Sequence, residues 1–352
     1  MKAKEYYYEY IAPEEGGKSY QELQAIDMKS RFGYVSADSV GKNFTPRYSN
    51  DFLLDYLIED FARNADASLQ NRLENIFVAK RFNKVPNARA KGSKKDYEGD
   101  LIFFQVGLSD ACFQYAILLS NFQYMKAYLK DYGINHPKSL EQVSVFQDKL
   151  IKLSNAQKRW SSYWDFIQIE KDFNLIEGSQ SEQEERAAEI ALLTDRFILG
   201  HEIAHHLLGH TGNYDIGKGY IELLPDNCKL WHKSDSVHAK EFQADALSLL
   251  MTCNATKELS NHQDRENPKT GSALGALLTL TVLGQLAGDI HKPTRTHPKV
   301  AVSYKQAMHI LVELTYHGFL IHIFEDFLSF HKLLHTTQNR GFTGDIDDLF
   351  KD

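Results

Sequence analysis

The chain has 352 residues, of which 43% are hydrophobic and 25% charged, and its formal net charge is -7. This composition is typical of a globular protein with a large core and argues against extensive disorder. The negative charge offers no basic surface to a nucleic-acid backbone, so we predict no nucleic-acid partner. Three widely spaced cysteines favour neither a disulfide framework nor a thiolate metal site, and they indicate a reducing compartment.

The apolar segments of the chain do not predict export or membrane insertion. The N-terminus lacks an apolar run that could form the core of a signal peptide. The most apolar stretch, Ala273 to Ala287, is too short to cross a bilayer, which takes ~20 residues, and is expected to be a buried helix. We therefore expect a soluble, cytoplasmic protein without a membrane span, whose oligomeric state the sequence does not indicate.

Apolar residues at three- and four-residue spacing predict helices in the N-terminal half. These segments are Phe52 to Phe61, Leu101 to Leu129 and Leu140 to Phe166. A basic, polar stretch from Pro86 to Gly99 is expected to form a surface loop. Weak alternation of apolar residues in Ser30 to Val40 and in Tyr214 to Leu224 indicates at most a short hairpin in each.

A polar stretch rich in Gly, Ser, Gln and Glu is the expected boundary within the chain. We predict an N-terminal, mostly helical region at 1–177, a linker at 178–186 and a second helical domain at 187–352. The predicted helices of that domain are Ala187 to His210, Val237 to Met251 and Ala301 to Leu334. Gly212 is expected to end the first of them.

Residues 201–205 read His-Glu-Ile-Ala-His on the first helix of the second domain. Positions four apart lie on one helix face, so His201 and His205 can reach one ion from consecutive turns. Zinc suits such a site because three protein ligands leave a fourth position open for water. Glu202 lies beside that position and is predicted to act as the general base.

The third ligand decides the class of site. A metzincin would need Gly at position 208 and His at position 211, where this chain has Leu208 and Thr211. A gluzincin takes a Glu from a second helix, and Glu241 offers this carboxylate with Asp245 four residues later on the same face. Asp245 is expected to accept the free ring N–H of a ligand histidine and so fix its tautomer.

Three short blocks of this chain resemble the gluzincin family of the CAAX prenyl proteases and the heat-shock membrane proteases. The blocks are Leu199 to His210, Glu241 to Asp245, and Thr296 to Pro298. By that resemblance, His297 would help to stabilise the oxyanion that forms when a peptide carbonyl is attacked. The zinc motif on a soluble chain is also similar to that of prophage-encoded exclusion peptidases.

Several alternative ligands remain open at this point. Glu222 and Asp226 are rivals of Glu241 as third ligand. His206 and His210 also stand four apart, on a helix face expected to turn away from the first pair, and we interpret them as polar surface or supporting residues.

We expect a mainly α fold: a helical zincin-like metallopeptidase core, an N-terminal helical region that restricts access or recognises substrate, and room for a small edge sheet. The predicted function is that of a zinc-dependent endopeptidase that hydrolyses a peptide bond in an intracellular protein substrate by metal-activated water. One alternative is a zinc-binding regulatory or stress/phage-defence module with restricted or triggered proteolysis. If such a module keeps zinc only for structure, we expect His206, His210 or His232 to be a fourth ligand that excludes water. Another is a small-molecule zinc amidohydrolase, for which Cys112 is the only upstream thiolate.

Overall fold

The computed structural model describes residues 1–15, 45, 47–83, 85–92, 96–158, 175, 181–212, 217–222, 237–253, 270–287, 298–314 and 317–345. Within these ranges the protein is mainly helical with one three-stranded sheet, which confirms the predicted fold class. None of the described helices combines the length and the apolar character needed to span a membrane.

The first described elements belong to the region before the predicted boundary. In chain order they are α1 (Ala3–Tyr6), α2 (Phe52–Arg63), α3 (Ala67–Leu73), β1 (Ile76–Arg81), β2 (Ala88–Lys91), β3 (Asp100–Gln105), α4 (Val106–Tyr132) and α5 (Pro137–Gln157). The elements that follow are α6 (Ser181–Leu207), α7 (Lys218–Glu222), α8 (Val237–Thr252), α9 (Thr270–Leu286), α10 (Val300–Leu314) and α11 (His317–Arg340).

The sheet has β3 at its centre, with β1 parallel on one side and β2 antiparallel on the other. This arrangement corrects two predictions. The apolar run from Leu101 onward begins as strand β3, and the helix starts only at Val106. The expected loop from Pro86 to Gly99 contains β2, whose polar residues pair with β3. A buried strand is a continuous apolar run, and a short run of this kind does not differ from a helix by periodicity alone.

Helix α6 lies at the centre of the packing and contacts α4, α8 and α9. One hydrophobic cluster includes buried residues from both sides of the predicted boundary, among them Leu118 of α4 and Leu199 of α6. Helix α6 begins at Ser181, which is earlier than the predicted Ala187. The division into an N-terminal region, a linker and a second domain stays a prediction.

Two further helix predictions need correction. The segment from Ala301 to Leu334 forms two helices, α10 and α11, instead of one. The described part of the expected hairpin at Tyr214 to Leu224 is helical, as α7. The predicted buried helix is confirmed as α9, whose leucines are buried except for the partly buried Leu283. The possible hairpin from Ser30 to Val40 lies outside the described residues.

A close helix crossing holds α9 against α6. A methyl group added at Gly275 would lie 2.4 Å from the carbonyl carbon and oxygen of Leu193. Since both contacts are backbone atoms, only a residue without a side chain lets the two helices come this near. Gly275 therefore sets the distance between α9 and the back of α6.

Buried charged groups also lie along α6. Asp195 accepts a hydrogen bond of 2.8 Å from the Ser109 hydroxyl. Burial raises the pKa of Asp195 to about 6, although the positive charge of Lys80 and the Ser109 hydrogen bond oppose this shift. The folded protein therefore binds a proton at the Asp195 carboxyl group more tightly than the unfolded chain does.

Candidate metal centre

The His-Glu-Ile-Ala-His residues occupy the last two turns of α6. The Nε2 atoms of His201 and His205 are 3.1 Å apart, as expected for residues on one helix face. Their rings meet edge to face, with centroids 4.7 Å apart. Both side chains therefore direct a ring nitrogen to the same small volume.

Helix α8 brings a carboxylate to that volume. The oxygens of Glu241 lie 3.3 Å from His201 Nε2 and 3.6 Å from His205 Nε2. Close packing of the two helices makes this possible, because a methyl group at Gly200 would lie only 2.7 Å from the Ser248 hydroxyl. The Ser248 hydroxyl donates a 2.8 Å hydrogen bond to the Phe197 carbonyl, which ties α8 to α6 one turn before the motif.

The donor set and its spacing fit a metal ion. The ligand atoms of His201, His205 and Glu241 all lie within 4.8 Å of one another. In a tetrahedral zinc site with bonds of ~2.0–2.1 Å, neighbouring ligand atoms are about 3.3 Å apart. The three separations given above cluster around this value, so these side chains could hold a divalent ion with little rearrangement.

Asp245 supports one of the two imidazoles. His201 Nδ1 and Asp245 Oδ1 are 2.8 Å apart. A carboxylate accepts hydrogen bonds, so Nδ1 donates its proton to Asp245, and Nε2 is the ring nitrogen that faces Glu241. This is the contact that the sequence predicted for Asp245 with a ligand histidine.

The charges of the site favour a cation at this position. Burial alone would lower the pKa of His201, but hydrogen bonds to Asp245 and Glu241 raise it well above its ordinary value. Burial alone would raise the pKa of Glu241, but hydrogen bonds with His201 and His205 hold it far below its ordinary value. The buried carboxylates therefore favour a positive charge at this position.

Glu202 follows His201 directly and is only 8% exposed. Adjacent helix residues point about 100° apart, so its carboxylate lies beside the ligand face instead of within it. It is not a member of the three-residue ligand group. This position agrees with a residue that handles a proton next to the metal site without coordinating the ion.

The end of α6 differs from the prediction. The Gly209 amide donates to the His206 carbonyl at 3.1 Å, and the His210 amide donates to the His205 carbonyl at 2.9 Å. This is a Schellman motif, and Gly209 adopts the required left-handed conformation with φ of 70°. The helix thus ends before Gly209, not at Gly212.

Because the chain reverses at Gly209, His210 returns to the ligand face, and its predicted orientation away from the first pair is wrong. His210 Nδ1 is 2.9 Å from His205 Nδ1, and His210 Nε2 is 3.0 Å from Gln243 Oε1. Burial and the neighbouring His205 lower the pKa of His210 to about 4. His210 is therefore a neutral imidazole in direct contact with His205.

His206 does point away from the candidate ligands, but it is fully buried and not a surface residue. Its Nδ1 lies 3.0 Å from the Thr211 hydroxyl and 3.2 Å from Asp100 Oδ1 at the start of β3. Asp100 in turn forms a buried ion pair with Arg72. His206 thus connects the end of α6 to the sheet.

The other sequence candidates divide into two groups. Glu222 ends α7 as an exposed residue and does not belong to the ligand group found among the described residues. Cys112 is fully buried, burial raises the pKa of its thiol, and its described partners are Thr194 and Thr279 instead of the ligand histidines. Asp226, His232 and His297 lie outside the described residues.

Sequence reasoning placed His210 on the wrong side of the helix and missed Gln243 as a neighbour of the candidate ligands. The signal for His210 was present, since a Gly that follows two leucines marks a helix end and places the next residue back over the last turn. No local signal exists for Gln243, because its contact depends on how α8 packs against that turn.

Comparison with known proteins adds one finding. No curated protein and no solved structure matches the chain. A family model described as Peptidase U49 matches residues 112–308. That segment extends from α4 to α10 and covers more than half of the chain, including both helices of the candidate metal centre. The chain therefore belongs to the peptidase U49 family.

Proposed function

We propose that the protein is a zinc-dependent endopeptidase of the gluzincin type that cleaves a peptide bond in a protein substrate. Membership of a peptidase family supports peptide-bond cleavage. The observation that carries the metal part of the proposal is the convergence of His201, His205 and Glu241 from two helices. Two imidazoles and one carboxylate form the ligand set of a gluzincin zinc site.

Each residue of the site would have its own role in the reaction. A zinc ion held by the three ligands would supply Lewis acidity to water and to the substrate carbonyl. Glu202 would accept a proton from the attacking water and deliver it to the leaving amine. Asp245 would keep the His201 ring oriented through Nδ1. We also propose, by resemblance to the CAAX prenyl proteases and the heat-shock membrane proteases, that His297 stabilises the oxyanion.

An observation in the sheet favours a peptide chain as substrate over a small amide. Strand β2 is one of the two outer strands of the described sheet and packs against α6. Gly92, directly after β2, lies so close to Thr211 that an added methyl group would be 2.3 Å from its carbonyl oxygen. An outer strand beside the motif helix offers backbone groups that can pair with an extended peptide.

The regulatory alternative requires a fourth protein ligand that excludes water. Of the three possible fourth ligands, the structure describes His206 and His210, and His232 lies outside the described residues. Both ring nitrogens of His210 already face other partners, and His206 faces Asp100, so neither of these two closes the site in this arrangement. We therefore favour an open, catalytic site. The same proposal includes a cytoplasmic location and a role of residues 1–177 in access control. It also includes the similarity to prophage-encoded exclusion peptidases. The buried thiol of Cys112, which forms no disulfide, supports a reducing compartment.

The test compares Glu202→Gln with the wild type expressed in the same cells. Zinc content of the purified proteins is measured by elemental mass spectrometry, and new protein termini in the cells are identified by mass spectrometry. We expect both proteins to contain zinc, because Glu202 is not a ligand. We expect a sharp new terminus only with the wild type, since loss of a general base typically lowers the rate ~10²–10⁴-fold.

Glu189→Gln is the matched control, because Glu189 lies on the same helix but is exposed and pairs with Arg186. This variant should produce the same new terminus as the wild type. Cleavage by Glu202→Gln at the wild-type level would refute the proposed mechanism. Absence of zinc from the wild type after zinc loading would refute the metal assignment.

A further inference from the structure

The two ligand histidines are supported by different partners. His201 Nδ1 faces the Asp245 carboxylate from α8. His205 Nδ1 faces the imidazole of His210 from the turn after α6, and the other nitrogen of His210 faces the Gln243 side-chain oxygen on α8. Gln243, His210 and His205 therefore form a chain of polar contacts that runs from α8 to Nδ1 of His205.

The direction of the hydrogen bonds in this chain follows from the chemistry of Gln243. The Gln243 oxygen only accepts, so His210 Nε2 carries the proton that is donated to it. A neutral imidazole has one N–H, so His210 Nδ1 holds a lone pair. That lone pair accepts from His205 Nδ1–H. With a metal ion in the site, His205 Nε2 would then offer its lone pair to the ion.

The opposite direction would make the site unable to bind a metal. If the Gln243 amide nitrogen donated to His210, then His210 Nδ1–H would donate to His205 Nδ1. His205 would carry its proton on Nε2, where no lone pair would remain for an ion. Only the first direction agrees with the gluzincin site proposed above.

We propose that His210 and Gln243 are positioning residues that fix the tautomer and the ring orientation of His205, as Asp245 does for His201. This inference rests on the proposed metal site. A neutral acceptor has a physical advantage at this position. The site already holds the negative charges of Glu241 and Asp245, and a third carboxylate behind His205 would add repulsion without improving the orientation of the ring.

Zinc affinity, measured by competition with a chromophoric chelator, tests the inference. His210→Leu removes the acceptor, and Gln243→Met removes the group that selects the tautomer of His210 at similar side-chain length. We expect each change to weaken zinc binding ~10–100-fold, the usual loss when such a supporting contact to a ligand is removed. His210→Asn places an amide oxygen where Nδ1 was, so this variant should retain most of the affinity.

Two controls separate positioning from folding. Thermal unfolding of the metal-free proteins should give similar midpoints for His210→Leu and His210→Asn, so that their difference arises only with zinc. His335→Leu removes an imidazole from α11, away from the site, and should bind zinc as the wild type does. Zinc-loaded protein with ¹⁵N-labelled histidine should show His210 protonated at Nε2 in the NMR spectrum.

The outcomes distinguish this inference from the proposed function. Wild-type zinc affinity in both His210→Leu and Gln243→Met, or a proton on Nδ1 of His210, would overturn the positioning role while the metal site stands. Equal losses of zinc affinity in His210→Leu and His210→Asn would also overturn it, because a positioning role predicts that the Asn oxygen restores most of the binding. A wild type that binds no zinc would overturn the metal site and the positioning role together.

Discussion

Replacement of Gly275 by Ala tests how tightly the motif helix is held from behind. The new methyl group would lie 2.4 Å from two backbone atoms of Leu193 on α6. Ordinary carbon contacts begin near 3.4 Å, so the two helices would have to separate by about 1 Å. A change of rotamer cannot relieve the contact, because a methyl group has none and the opposing atoms belong to the backbone.

The magnitude follows from two opposed effects. Ala is favoured over Gly in a helix interior by ~1 kcal/mol. Overpacking of a close-packed core costs ~1–3 kcal/mol, and here the upper part of that range applies because Gly275 lies in a buried stretch of α9 and the opposing atoms belong to the backbone. We therefore expect Gly275→Ala to lower the free energy of unfolding by ~1–2 kcal/mol.

Urea unfolding of the metal-free protein measures this change. Gly219→Ala is the matched control, since Gly219 also lies in a helix but a methyl group there would meet nothing within 4 Å. The control should be neutral or gain up to ~1 kcal/mol. A Gly275→Ala protein as stable as the wild type would refute the close crossing of α9 and α6.

Two further predictions concern buried charges. Asp195→Asn should stabilise the protein by about 2–3 kcal/mol at pH 8 and little at pH 4. The reason is that the pKa of Asp195 is about 6 in the folded state and ~4 in the unfolded state, so the wild type loses stability as the pH rises through this window. An equal gain at both pH values, measured by urea unfolding, would contradict this. Asp100→Asn removes the carboxylate that faces buried Arg72 and should cost ~3–5 kcal/mol in thermal unfolding. Asp326→Asn, in a more exposed pair with Lys126, should cost no more than ~1 kcal/mol, and equal losses would show that burial is not the cause.

The candidate ligands could be predicted because the underlying geometry is local. Four-residue spacing puts His201 and His205 on one face of any helix, and the same spacing relates Glu241 to Asp245. The sequence also predicts that α6 and α8 are helical, since each carries enough apolar residues at helical intervals. What the sequence could not give is the approach of the two helices, which depends on Gly200 facing Ser248.

The segments that were predicted wrongly are those whose secondary structure or burial depends on residues far away in the sequence. Strand β2 is short and alternates alanine with basic residues, and it is a strand only because β3 pairs with it. The burial of His206 likewise depends on Asp100, which lies on the sheet. The end of α6 was a local error, because Gly209 and Gly212 both suit a helix end and only the hydrogen bonds of the turn distinguish them.

The contact between Asp100 and His206 has a consequence for attempts to isolate a minimal peptidase. The segment shared with the U49 family begins at Cys112, so Asp100 and Arg72 lie upstream of it. A fragment trimmed to the shared segment would leave an imidazole inside the protein without its carboxylate and would open one side of α6 to water. We therefore expect a minimal peptidase to need the upstream sheet as well as the two helices of the candidate metal centre.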